Sequence, residues 1–275
     1  MTSQLSFQAS SSVKSREDIK NLAQTNWCFQ IMPGGRSVVS SKEVEEFPSG
    51  KNPNILIHST YISRPFGDPE KSHIAKICLS NYAKISKKLG SSAILVHMPA
   101  SPNELARFAP GLELIYDAIS PYNGVLHLET EPLTKSLRDH IGLNEENALD
   151  IYSNYVDNLL KIAKNAMLVP DTAHLFANGL NSNDQIKFIN SHLDRIKFIH
   201  FNGNSNYPLH SDKHTPIFAP NNKISNHESL TNFLAKLGKF CIVENSTEGS
   251  TRPNWVSFAE KFNFNIVPNF SCFSY

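Results

Sequence analysis

Residues 54–97 open on NILIH, close on SSAILVH and carry KSHIAKICLSNYAKISKKLG between them at 71–90. In the middle stretch apolar residues recur every three or four positions, at Ile74, Cys78, Tyr82, Ile85 and Leu89. That spacing predicts an amphipathic helix with Gly90 at its C-cap. The flanking runs are short, apolar and rich in β-branched residues, which predicts buried strands. A strand, a helix and a second strand in this order form a parallel pair, because the helical crossover returns the chain to the same end of the sheet.

The unit recurs in both directions. WCFQIM from Trp27, GVLHLE from Gly124, AMLVPD from Ala166, IKFIH from Ile196 and FCIVE from Phe240 have the same strand character, and NALDIYSNYVDNLLKIAKN from Asn147 reads as another helix. A weaker strand around Leu5 to Ala9 brings the number to eight. Eight strands alternating with helices predict a (β/α)8 TIM barrel. An open doubly wound sheet is the alternative, but no GxGxxG turn follows any strand.

The chain has 275 residues, 40% of them hydrophobic, which suits one barrel domain over 1–275 and excludes a disordered protein. No apolar run reaches the roughly 18 to 20 residues of a membrane span, and MTSQLSFQASSSVK lacks the apolar core of a signal peptide. A soluble, intracellular protein with no membrane partner is expected. Cys28, Cys78, Cys241 and Cys272 form no CxxC pair, in keeping with a reducing compartment. A net charge of +1 gives no general sign of a nucleic-acid partner.

Six consecutive strands finish on a residue that can ligate a metal: His58, His97, Glu129, Asp171, His200 and Glu244. His, Asp and Glu fill 36 of 275 positions, so composition alone does not produce six in succession. In a barrel all six ends meet at the C-terminal mouth, where barrel enzymes keep their active sites. DTAH adds His174 three residues after Asp171, and SDKH adds Asp212 and His214. Five imidazoles and four carboxylates without thiolate suit Zn²⁺, and less specifically Mn²⁺ or Fe²⁺. Nine donors exceed the needs of one ion, and four acids at one mouth repel one another unless cations neutralise them. The single-residue alternatives are ordinary: a rim histidine held by a hydrogen bond, or an N-cap for Asp171. His73, His127, His140, His192, His210 and His227 are expected to be structural or on the surface.

The succession HSTY, LVHMPA, LETE, DTAHLFANG, FIHFN, SDKH and IVEN resembles the endonuclease IV family of abasic-site DNA repair nucleases, in particular its divergent viral members. The resemblance is clearest over 26–247 and includes all nine donor positions in order. It implies three zinc ions. His58, His97 and a bridging Glu129 would hold the first, Glu129, Asp171, His200 and Glu244 the second, and His174, Asp212 and His214 the third. It also implies a monomeric hydrolase that cuts double-stranded DNA 5′ to an abasic site, leaves a 3′-hydroxyl and trims blocked 3′ ends. Glu129 and Glu244 would be its catalytic carboxylates. Tyr61 and Ile62 match a pair that enters the DNA stack, and Arg36 matches an arginine inserted beside the lesion.

Three departures from the family pattern stand out: SFQASSS replaces its first-strand glycine-and-histidine motif, HPG reads His97-Met98-Pro99-Ala100, and HLND reads His200-Phe201-Asn202-Gly203. Lys213 stands where an arginine is common. With four of the 25 acids used as ligands, the rest of the chain carries 26 basic against 21 acidic groups. Phosphate contacts are expected from loops at the mouth, whereas Lys71, Lys76, Lys84, Lys87 and Lys88 are expected only to line a solvated helix face. Two other functions compete: a metal-dependent sugar isomerase or epimerase, and a DNA-binding relative without catalysis.

Overall fold

The computed structural model describes residues 2–34, 37–60, 62–244 and 251–273. Its strands are β1 (Gln4–Ala9), β2 (Phe29–Ile31), β3 (Ile55–His58), β4 (Ala93–His97), β5 (Val125–Glu129), β6 (Met167–Val169), β7 (Phe198–His200), β8 (Gly203–Asn204), β9 (His214–Thr215), β10 (Phe240–Val243) and β11 (Asn265–Ile266). Eight of them run parallel in the order β6-β5-β4-β3-β2-β1-β10-β7. Single parallel bridges, Leu168 to Ile196 and Asp171 to His200, close the seam between β6 and β7. The sheet is therefore a nearly closed barrel surrounded by helices, as the repeating unit predicts. Several strands are shorter than the apolar runs that foretold them, since β2 keeps only Phe29–Ile31 of WCFQIM. The weak first strand is real and spans six residues.

Side chains alternate across each strand, so the residue two before each strand-end donor also faces the barrel lumen. Those positions are Leu56, Leu95, His127, Val169, Phe198 and Ile242. Five of the six, with Cys28 and Ala93, form a closed apolar cluster of their own beneath the donors. The intervening residues, such as Ile57, Ile94, Val96, Leu126 and Leu128, point outward into the larger core under the helices. Helix Ser72–Leu89 buries Cys78, Leu79, Tyr82, Ile85 and Leu89 there and ends at Gly90 with φ +90°. Any side chain at Gly90 would also meet Lys51 Cα at 2.5 Å.

β1 is flanked in an unusual way. Gln4 to Phe7 pair with β10, Gln8 and Ala9 pair with β2, and β11 lies beside Gln4 and Leu5. Towards its N-terminal end, β1 reaches β2 through side chains: Gln4 accepts from the Cys28 amide at 3.1 Å, and the Ser6 hydroxyl donates to the Cys28 carbonyl. All four cysteines are free and buried. Among the described residues no helix is long and apolar enough to cross a membrane.

Candidate metal centre

Strand register brings the donors together. His97 pairs with Glu129 across β4 and β5, His200 with Asp171 across the seam, and His200 with Ile242, two residues before Glu244. After β7 the chain makes an excursion through the antiparallel pair β8 and β9, which sets His214 opposite Asn204. Three groups of converging ligand atoms result: His58, His97 and Glu129; Glu129, Asp171, His200 and Glu244; and Asp171, His174 and His214. Asp212 joins the last, with Oδ2 3.0 Å from His214 Nε2 and 3.7 Å from His174 Nε2. All nine sequence-predicted donors thus meet at one mouth. The third group gains Asp171, which the resemblance had placed in the second alone.

Glu129 lies at the junction. Its Oε2 is 3.3 Å from His58 Nε2 and 3.0 Å from His97 Nε2, while Oε1 is 2.7 Å from His200 Nδ1. The carboxylate is fully buried, and Oε2 has no hydrogen-bond partner. Glu244 spans the groups at the top: Oε1 is 3.5 Å from His58 Nε2, and Oε2 is 3.3 Å from His200 Nδ1 and 3.9 Å from His214 Nδ1. Asp171 does two jobs. Oδ1 caps helix Thr172–Ala177 by accepting from Ala173 and His174 amides at 2.6 and 3.0 Å, and Oδ2 faces the centre. The N-cap reading of this residue holds, and the cap leaves its second oxygen turned to the centre.

The imidazole tautomers decide whether these residues suit a cation. His58 Nδ1 lies 2.6 Å from the Ser59 carbonyl and His174 Nδ1 2.6 Å from the Thr130 carbonyl, and a carbonyl only accepts. Each Nδ1 therefore carries the proton, and in the neutral ring each Nε2 presents a lone pair. That of His58 faces two carboxylates, and that of His174 faces His214 Nε2 at 3.2 Å. For His200 the order reverses. Gln30 Nε2 donates to Gln8 Oε1 and Glu244 Oε1, which turns Gln30 Oε1 to His200 Nε2 at 2.8 Å. His200 Nδ1 is then left for the centre. Lone pairs aimed at anionic oxygens at such distances repel unless a proton or a metal ion lies between them, so the donor set fits divalent cations.

Protons take that role in the metal-free protein. Burial disfavours the His97 imidazolium, but Glu131 and Glu129 outweigh it and raise its pKa to about 9. Burial likewise opposes charge on His200, and Glu244 and Glu129 raise it to about 9. Burial would raise Glu129, yet the neighbouring His200 and His97 charges hold it well below the carboxylate range. The sign follows. Both imidazoliums contribute stability that is complete below the ordinary value of 6.5 and is lost as pH rises through about 9. Metal ions held there would have to displace those protons, so metal affinity should rise with pH up to about 9. Calorimetric zinc titrations at pH 7.5 in buffers of different ionisation enthalpy should report about two protons or more released per chain, because His174 and His214 are raised as well, their carboxylate neighbours Asp171 and Asp212 outweighing burial. No release would refute the assignment of these rings as ligands.

Several residues at the centre have no metal-ligand signature in the sequence. Gln8 and Gln30 occupy the last inward positions of β1 and β2, where the other six strands lead to donors. Asn202 donates to Asp171 Oδ2 at 2.8 Å, and Asn204 donates to Asp212 Oδ1 at 3.1 Å. Gly203 explains one departure from the family pattern, because a Cβ there would approach Asn222 Oδ1 to 2.9 Å and Ile217 Cα to 3.1 Å. Beside His97 a cavity of about 390 Å³ opens among Thr60, Arg64, Met98, Glu104 and Glu131. Of the residues expected to touch DNA, Ile62 is half-buried and packs on the core. Arg36 and Tyr61 lie outside the described residues. His127 and His192 are buried structural residues, and His210 is exposed on the excursion.

The sequence profile of a family described as xylose isomerase-like TIM barrels matches residues 40–259. The fold is similar to the crystal structure of endonuclease IV from Thermus thermophilus, with a TM-score of 0.67 and 19% identity over 94% of this chain and 97% of that one. It is also similar to a D-tagatose 3-epimerase-like protein, with a TM-score of 0.62 and 18% identity over 94% and 98% of the two chains. A xylose isomerase domain protein from Planctomyces limnophilus gives 0.63 and 10% over 96% and 97%. At these identities the likeness establishes the fold alone. No curated protein sequence matches the chain significantly.

Proposed function

The chain belongs to the xylose isomerase-like TIM barrel family, and from that premise we propose that it is a zinc-dependent endonuclease that hydrolyses DNA 5′ to abasic sites. The observation that supports this reading is the third donor group. Asp212 and His214 are brought by the excursion to Asp171 and His174, so nine donors share one mouth through Glu129 and Asp171. Proton transfer between neighbouring sugar carbons needs a base and one or two cations on adjacent oxygens. In-line displacement at phosphorus has an attacking, a leaving and two non-bridging oxygens to stabilise, which gives three cations work to do.

His58, His97 and Glu129 would hold one ion, Glu129, Asp171, His200 and Glu244 a second, and Asp171, His174, Asp212 and His214 a third. Ions held there would supply Lewis-acid stabilisation of the phosphoryl group and of the departing oxygen. Glu244, whose carboxylate touches all three groups at the open face, orients the attacking water. Gln30 and Asn202 fix that carboxylate from below and beside it. The apolar plug beneath the donors excludes water from the floor. Three doubly charged ions against the donor carboxylates Glu129, Asp171, Asp212 and Glu244 would leave the donor set formally at +2, or +1 with the neighbouring Glu131 counted, which favours a phosphodiester. Tyr61, Ile62 and Arg36 are proposed to engage the lesion, with Ile62 braced by its core contacts.

A duplex carrying one tetrahydrofuran lesion tests this directly. The zinc-loaded protein should cut 5′ to the lesion, leave a 3′-hydroxyl, lose activity with chelator and regain it with zinc. Epimerisation of ketohexoses without incision would establish the sugar-converting function instead. Binding of the lesion without either reaction would identify a non-catalytic relative.

A further inference from the structure

We propose that Arg138 is the positioning residue of the third donor group, acting through the backbone of the excursion that carries Asp212 and His214. This rests on the metal centre of the proposed function, but not on its reaction. Arg138 sits on helix Lys135–Ile141, the first helix after β5, and is not itself one of the nine donors. Its guanidinium instead forks between two loops. Nη1 donates to the Leu133 carbonyl at 2.7 Å, on the segment that follows Glu129, and Nη2 donates to the Leu209 carbonyl at 2.7 Å, on the excursion.

Leu209 needs such a hold. Its φ of +60° lies in the left-handed region, which a leucine adopts only when its surroundings impose it. Its amide is held as well, donating to the Ala177 carbonyl at 2.9 Å at the end of the helix that carries His174. Asn178, fully buried, completes the staple by donating to the Glu131 carbonyl at 2.8 Å and accepting from the Leu133 amide at 2.9 Å. The β5 loop, the His174 helix and the excursion are thereby fixed to one another.

From Leu209 the constraint passes to the donors over three residues. Asn206 donates to the Ser211 carbonyl at 2.9 Å, and the Ser205 amide donates to the Lys213 carbonyl at 3.0 Å, which leaves the turn little freedom to shift alone. Asp212 is then placed against Asn204 and the two imidazoles. The first and second groups stand on barrel strands and do not depend on this turn. A lysine is not a substitute, because one ammonium on a flexible stem does not reproduce a planar fork across two carbonyls.

The test is a site-resolved zinc titration of the full chain, with Arg138→Met and Arg138→Lys beside the unsubstituted protein. Methionine keeps the apolar stem and removes the fork. Both variants should keep two ions at unchanged affinity and lose about 10- to 100-fold in affinity for the third, the usual effect of removing a residue that orients a ligand. Hydrogen exchange should quicken at residues 203–215 and at no barrel strand, which separates lost positioning from general destabilisation. Equal weakening of all three ions, or an unchanged third ion, would overturn the assignment. An unsubstituted protein that binds two ions or fewer would overturn the three-ion reading and this assignment with it. Three ions in a protein that does not cut DNA would overturn only the proposed reaction.

Discussion

On the proposed function, Glu129→Gln should leave a folded barrel that binds fewer ions and has lost incision by roughly 10³-fold or more, equivalent to about 4 kcal/mol of transition-state stabilisation. The carboxylate is fully buried with an oxygen facing each of two donor groups, so it is placed to neutralise two cations at once. An amide has nearly the same shape and can still accept from the protonated rings, which spares the packing. It carries no charge, and one end of it is a donor facing whatever the carboxylate used to bind. Metal analysis together with single-turnover cleavage of lesion DNA checks both halves. Near-normal turnover, or three retained ions, would remove Glu129 from the centre of the site.

Removing the metal ions should lower the melting temperature by more than about 10 °C. Ligand linkage contributes about 2.7 kcal/mol for each ion present at 100 times its dissociation constant, and in a chain of this size each kcal/mol moves the transition by roughly 2–4 °C. The physical source is the crowding of Glu129, Asp171, Asp212, Glu244 and Glu131 at one mouth. Protonated His97 and His200 offset part of this without metal, so the loss should be larger at pH 9 than at pH 7. Melts of chelated and zinc-reloaded protein at the two pH values measure it. Superimposable curves would mean that the carboxylates never needed cations.

Much of the barrel was legible because two periodicities, 3.6 and 2, alternate along the chain and because parallel strands tolerate few topologies. The donors were legible for a related reason. A strand has one last inward residue, and at six strands that position held His, Asp or Glu. The same rule applied to the first two strands would have pointed to Gln8 and Gln30. An amide has no chemistry that announces itself in sequence, and its value here is only to turn His200 and Glu244 the right way. Sharing of Asp171 by two groups depends on how a hairpin folds back over the mouth, and nothing local to DTAH encodes that. The hold on Leu209 was hidden for the same reason, since it joins residues 71 positions apart through main-chain atoms.

The neighbours of β1 bear on when the protein becomes competent. Its first four residues pair with Phe240 to Val243, and Gln4 and Leu5 also pair with Asn265 and Ile266. Contacts that join positions so distant along the chain are slow to form and wait on synthesis, which proceeds at about 5–20 residues per second. Until β10 emerges from the ribosome, β1 has β2 as its strand partner, through a two-residue pairing and the contacts of Gln4 and Ser6 with Cys28, and Glu244, which follows directly on β10, is absent from the mouth. A nascent chain therefore carries an open sheet with all five donor imidazoles already made and one of its four donor carboxylates missing. On the proposed function, ion capture waits for the chain that has completed β10, and the last strand of the barrel to be made is also the step that arms it.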